Sequence, residues 1–173
     1  LANLMSWSQL ESGRMHFNPE HFDIANIISE VTSFVKVNTE QKDIHIENKI
    51  SQNTLVFADK DMISTVLRNL ISNALKFTKT GGRIVISFTN EKNELIVTIK
   101  DNGVGISKER IDKLFTIGEI SSTIGTQKEE GTGLGLILCK EFIKKNNGKF
   151  WIESSLGMGS SFYFSLPTVN EKI

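Results

Sequence analysis

The chain has 173 residues, 39% hydrophobic and 23% charged, which suits one globular domain with its own core. Its 20 Lys plus Arg balance 20 Asp plus Glu, which removes any whole-molecule electrostatic case for nucleic acid or an anionic membrane, though a local basic site stays open. The lone Cys139 allows no internal disulfide and, set in an apolar run, predicts a buried thiol and fits a reducing compartment; no apolar run reaches membrane-spanning length and no signal peptide opens the chain.

Leu1, Leu4, Met5, Trp7 and Leu10 form an apolar stripe on a short helix that Gly13 can end. A helix this short is marginal alone. The sequence opens inside it, so it is expected to be the tail of a longer helix in a larger protein. Residues 16–19 read as a connector. Asp23 is placed as the N-cap of an amphipathic helix carrying Ile27, Ile28, Val31, Phe34 and Val35 to about Asn38. Ile44 and Ile46 alternate as a strand, and residues 55–58 form a second.

The next element is a long helix starting near Asp61, with Asp59 as its N-cap. Met62, Ile63, Val66, Leu67, Leu70, Ile71, Ala74 and Leu75 give it one broad buried face. Gly81-Gly82 ends it. At helical spacing Asn69, Asn73 and Lys76 fall within an arc of roughly 60° flanking that face. An Asn carbonyl oxygen suits Mg²⁺, which takes few protein ligands, and a lysine one turn on can reach a phosphate. The helix alone is read as well by a polar flank with a solvated lysine.

Residues 83–89 and 95–100 read as two antiparallel strands joined by a turn at 90–93. A short helical patch reaches Phe115, and 116–130 reads as a mobile loop. A helix opened by Gly131-Thr132-Gly133-Leu134-Gly135-Leu136 runs to about Asn147 and is capped by Gly148. Residues 149–153 and 160–166 close the chain as a hairpin around Gly157-Met158-Gly159. This order predicts helices layered on one face of a mixed sheet.

Asp101-Asn102-Gly103 follows a strand, where a plain turn is one reading. Gly105 and the polar loop beyond do not look like a return strand. The other reading is that Asp101 leaves the sheet edge as a buried carboxylate accepting from a donor such as an exocyclic amine, beside glycines that let backbone approach a flat ligand. Gly103 and Gly105 stand where a calcium loop needs oxygen ligands, so that loop is a poor fit. Gly131, Gly133 and Gly135 at a helix start suit phosphate, because free N–H groups and the dipole meet there. Neither a Rossmann nor a P-loop spacing is present.

Taken in order, these motifs resemble the ATP-binding catalytic domain of sensor histidine kinases. Residues 69–78 resemble the N box, 101–106 the first glycine box, Phe115 the F box, 131–136 the second glycine box and 157–167 the closing hairpin. Residues 7–15 resemble the junction after the second dimerisation helix. The resemblance implies an α/β (α+β) two-layer sandwich of the Bergerat type, a mixed and mostly antiparallel sheet against three main helices with a mobile ATP lid. It implies domains of 1–18 (helix end and linker) and 19–169 (catalytic), with 170–173 a tail.

By the resemblance, Asn73 ligates Mg²⁺ and Asn69 supports metal and phosphates. Lys76 contacts the phosphates, so Asn69 and Lys76 serve catalysis, and Lys128 is a weaker phosphate candidate. Phe77 packs by the adenine and Asp101 takes its amino group. Gly103 and Gly105 shape the base pocket, while Gly131, Gly133 and Gly135 donate to phosphate. Ile106, Phe115, Thr132, Leu134, Leu136 and Ser160 complete the nucleotide set. Implied partners are ATP, a histidine-bearing dimerisation domain of the same parent and a response-regulator receiver domain. No nucleic acid is implied. The parent is expected to be a homodimer, this piece monomeric, and its location cytoplasmic, with anchorage through other segments left open. None of His16, His21 or His45 has the acidic neighbour and later proline of the family's acceptor box. The chain is therefore expected to bind Mg-ATP without phosphorylating itself. The same fold serves ATPases with a water-activating glutamate where this chain has Asn69. An amide cannot be that base, which favours transfer over hydrolysis; a nucleotide-sensing binding module is a further alternative.

Overall fold

A computed structural model describes residues 2–115, 125–127 and 133–168. Helix α1 (Ala2–Glu11) is followed by strand β1 (Pro19–Asp23), helices α2 (Ile24–Phe34) and α3 (Lys36–Gln41), and strands β2 (His45–Asn48) and β3 (Leu55–Asp59). Helix α4 (Lys60–Phe77) leads into β4 (Arg83–Glu91), β5 (Glu94–Asp101) and the short α5 (Lys108–Lys113). Helix α6 (Gly135–Lys145), β6 (Phe150–Ser155) and β7 (Gly159–Pro167) complete the chain.

Five strands form one mixed sheet in the order β2-β4-β5-β7-β6, with β2 parallel to β4 and the other pairs antiparallel. The register stacks Ile86 on Ile99 and Ile99 on Phe162 across the three central strands. These side chains share one face and are buried, as a period of two demands when one face meets a core. Helices α2, α4 and α6 press their apolar stripes onto that face in one hydrophobic cluster. Helix α4 packs against α2 and α6. The expected two-layer α+β sandwich is what is observed. On the outer face Trp151 and Tyr163 stack at 5.2 Å.

Capping fixes where the helices start. Asp59 accepts from the Met62 N–H at 3.0 Å to start α4, and its other oxygen accepts from the Asn18 N–H. Asp23 caps α2 through the Ala25 N–H and also takes the Thr54 and Asn53 N–H groups. Both caps follow the expected pattern. Cys139 is buried in α6, where desolvation pushes its thiol far above the ordinary range.

Several expectations need correcting. The connector at 16–19 runs into β1, which pairs antiparallel with β3 in a separate two-stranded sheet. The helix expected to run to Asn38 breaks at Val35 and resumes as α3 to Gln41. The turn at 90–93 is tighter: Glu91 pairs with Glu94, and Lys92 takes a left-handed φ of 51°. At the end of α6 the left-handed residue is Asn147, with φ 59°. Gly148 is needed for closeness instead, since a Cβ there would stand 1.9 Å from the Ser165 carbonyl oxygen.

Candidate functional site

The site forms where the C-terminal half of α4, the end of β5, the β6–β7 hairpin and the start of α6 converge. Asn69, Asn73 and Lys76 lie half-buried along one edge of α4. The Asn69 amide donates to the Thr65 carbonyl, and its oxygen accepts from the Asn3 amide of α1, each at 3.0 Å. A Cβ on Gly135 would stand only 2.8 Å from that same oxygen, so the amide-bearing edge of α4 abuts the first residue of α6. The Asn73 side chain makes no hydrogen bond among the described residues. The Lys76 ammonium sits 5.1 Å above the Phe77 ring.

Helix α6 begins at Gly135, not at Gly131. Gly133 has φ 71°, and Leu134 occupies the N-cap without a side-chain bond. Its first-turn N–H groups therefore lack a side-chain cap, the condition under which a helix start receives an anion. Leu136 packs half-buried against the core. Gly131, Thr132 and Lys128 lie outside the described residues, as does most of the 116–130 loop.

Asp101 does not leave an edge of the sheet. It ends β5, the central strand, paired with Ile84 on one side and Ser160 on the other. Its Oδ1 accepts from the Gly103 N–H at 2.8 Å and the Ser160 N–H at 3.3 Å. Burial raises its pKa, and those two N–H bonds pull the other way. Asp101 as a whole is 3% exposed. Gly103 is required by closeness: a Cβ would lie 2.2 Å from the Phe77 carbonyl oxygen, which accepts from the Val104 N–H. The following loop is stitched to the hairpin. Gly105 has φ 70°, and a Cβ there would meet the Ser155 carbonyl at 2.0 Å. The Gly157 N–H donates to Val104, and the Ile106 N–H donates to the Ser154 hydroxyl. Phe115 packs edge-on to Phe150 at 5.8 Å and beneath the Lys140 ammonium at 4.7 Å, bracing β6 against α6.

Four residues at the site were not foreseen. Asn3 carried no signal beyond its place on an apolar helix. Ser154 lies in an ordinary strand pattern. Lys42 is 5% exposed, and its ammonium donates to the Leu75 carbonyl and the Thr126 hydroxyl, each at 2.8 Å. Thr126 in turn donates through its N–H to the Lys76 carbonyl at 3.0 Å. Lys42 thus caps α4 and ties it to the 125–127 segment, from a sequence position that reads as solvated.

Two polar regions result. One, at the β5 end, offers a buried carboxylate between glycines. The other, between α4 and α6, offers two amides, an ammonium and uncapped N–H groups. A flat base with a donor edge suits the first and a chelated polyphosphate the second. Among the described residues no group of three or more His, Cys, Asp or Glu side chains could hold a metal; the Asn73 carbonyl oxygen could serve as one ligand to a divalent ion.

Residues 58–170 match the model of the histidine kinase-, DNA gyrase B- and HSP90-like ATPase family. The sensor histidine kinase WalK of Bacillus subtilis is 34% identical over 98% of this chain. The adaptive-response sensory kinase SasA of Thermosynechococcus vestitus is 35% identical over 96% of it. The chain spans 28% of the first and 44% of the second. The solved catalytic domain of the histidine kinase ThkA, in a nucleotide-free form, aligns at a TM-score of 0.73 and 30% identity, covering 92% of this chain and all of that one. The chain belongs to the histidine kinase-, DNA gyrase B- and HSP90-like ATPase family, and within it to the sensor histidine kinase catalytic domains.

Proposed function

We propose that this chain holds Mg-ATP and delivers its γ-phosphoryl group to a histidine on a dimerisation domain of the parent protein. The observation that carries the reading is the approach of the Asn69 oxygen to Gly135, which brings the amide edge of α4 against the start of α6, where a helix N-terminus would receive an anion. Asp101 would take the base amino group, with Gly103, Gly105, Ile106 and Ser160 around it. Asn73 would hold Mg²⁺, supported by Asn69, and the bound ion supplies charge neutralisation of the phosphates. Lys76 and the N–H groups around Gly133 and Gly135 would orient them, joined by Gly131, Thr132 and Lys128. Phe77, Phe115, Leu134 and Leu136 would shape the apolar walls.

Asn69 can orient and donate but cannot accept a proton at neutral pH, so the site lacks the base a water-splitting ATPase uses at this place. A neutral imidazole needs less help, since its reference pKa of about 6.5 leaves it largely unprotonated at neutral pH. The parent would be a cytoplasmic or membrane-anchored homodimer that passes its phosphoryl group to a receiver domain. ThkA has been solved in complex with a response regulator protein, TrrA. Among the described residues no helix is long and apolar enough to cross a membrane.

The test is phosphorylation with radiolabelled ATP. The 173-residue chain alone should gain no acid-labile, base-stable label. The chain joined to its upstream dimerisation helices should gain it at one histidine. Label on the isolated chain, or steady hydrolysis without transfer, would contradict the reading.

A further inference from the structure

We propose that Ser154, which lies outside the nucleotide set described above, is a positioning residue for base selection. It would fix the proton of Ser160 so that the pocket end of β5 and β7 offers acceptors only. The proposal rests on the nucleotide reading above. A serine hydroxyl has one proton and two lone pairs. The Ser154 oxygen accepts from the Ile106 N–H at 2.8 Å. The Gly159 carbonyl, also 2.8 Å away, can only accept, so it takes the Ser154 proton. One lone pair then remains, and the Ser160 hydroxyl lies 2.9 Å from it. That hydroxyl must be the donor of the pair.

The consequence falls on the neighbour of Asp101. Ser160 is the cross-strand partner of Asp101 and donates its backbone N–H to the carboxylate at 3.3 Å. With its hydroxyl proton committed to Ser154, the Ser160 oxygen has only lone pairs left to offer. The Asp101 carboxylate is likewise an acceptor. A purine bearing a 6-amino group, directly or through a water, can donate into this pair. A 6-oxo purine would bring acceptor against acceptor, which is where large discrimination arises. Without Ser154 the Ser160 hydroxyl rotates freely and can donate.

The probes are ATP and ITP, which differ at the purine 6-position, titrated with magnesium into the chain by calorimetry. The wild-type chain should prefer ATP. In Ser154→Ala the ratio of the two Kd values should narrow about tenfold, while Ser154→Thr, which keeps the hydroxyl, should hold it. In a Ser160→Ala background, adding Ser154→Ala should leave the ratio unchanged, because the rotor it controls is gone. Should Ser154→Ala fail to fold, Ser154→Cys replaces the hydroxyl with a larger group that is a poorer donor and acceptor, and its ratio should also narrow. Parallel loss of both nucleotides at constant ratio, a wild-type ratio in Ser154→Cys, or an effect that persists without Ser160 would overturn the assignment while leaving ATP binding intact. Absence of ATP binding by the wild-type chain would overturn the nucleotide reading itself, and the proposal with it.

Discussion

The side-chain oxygen of Asn69 stands 2.8 Å from the place a Cβ on Gly135 would occupy. That oxygen cannot retreat easily, because the Asn69 amide is held by the Thr65 carbonyl and the oxygen itself by Asn3. The first residue of α6 is therefore glycine for reasons of the neighbouring helix, not of its own backbone.

Gly135→Ala separates these two effects. Alanine favours helix by up to about 1 kcal/mol over glycine, and losing the Asn3–Asn69 hydrogen bond costs about as much, so the melting temperature should change little. Nucleotide affinity should fall by about tenfold, roughly 1.4 kcal/mol, as Asn69 is pushed from its place. Calorimetric titration beside a thermal melt checks both. A variant that melts lower but binds normally would contradict the arrangement.

Asp101→Asn should cost about 1.5–3 kcal/mol of nucleotide binding, the range for a hydrogen bond to a charged group. The same carboxylate sets a pH dependence. Its pKa is raised by burial against the pull of the Gly103 and Ser160 N–H bonds. Between the ordinary and the raised value the folded state binds the proton that the unfolded state releases, so this group's share of stability falls as pH rises through that window. Below the ordinary value its contribution is constant. Urea unfolding across mildly acidic pH should show this slope in the wild type and its loss in Asp101→Asn, and ATP affinity should weaken on acidification with a midpoint above the usual carboxylate range.

Lys42→Met should destabilise the chain by about 1–3 kcal/mol, because the Leu75 carbonyl at the end of α4 loses a buried donor. The Thr126 hydroxyl loses its contact with the same ammonium. Denaturant unfolding measures the loss, and an unchanged midpoint would show the ammonium to be dispensable.

Asn73→Ala should abolish the magnesium dependence of ATP binding. In the wild type, chelating the metal is expected to weaken ATP by at least about tenfold, since the phosphates then lack their counter-charge. In the variant, titrations with and without chelator should agree. A magnesium effect that survives the substitution would place the ion elsewhere.

The long amphipathic elements were legible because burial imposes periodicity. The apolar face of α4 and its Asp59 cap follow from the residue pattern, and so do the alternating strands β4 and β5. The site edge was legible for the same reason: Asn69, Asn73 and Lys76 keep helical spacing beside a buried stripe. What was not legible depends on partners distant in sequence. Strand β1 has no alternation of its own and exists because β3 pairs with it. Lys42 looks solvated until the C-terminus of α4 arrives over it. Asn3 meets Asn69 only once α1 has docked beside α6. As a helix cap Gly148 would need a left-handed backbone, yet Asn147 carries the positive φ and Gly148 makes room for Ser165.

The central claim is that an adenine nucleotide with magnesium lies between the amide edge of α4 and the start of α6, with its base at Asp101. Isothermal titration of the folded wild-type chain with ATP and magnesium tests it most directly. A saturable one-to-one heat, weakened by Asp101→Asn and by Asn73→Ala, is the expected result. No heat at millimolar nucleotide, from material whose unfolding transition is cooperative, would contradict it.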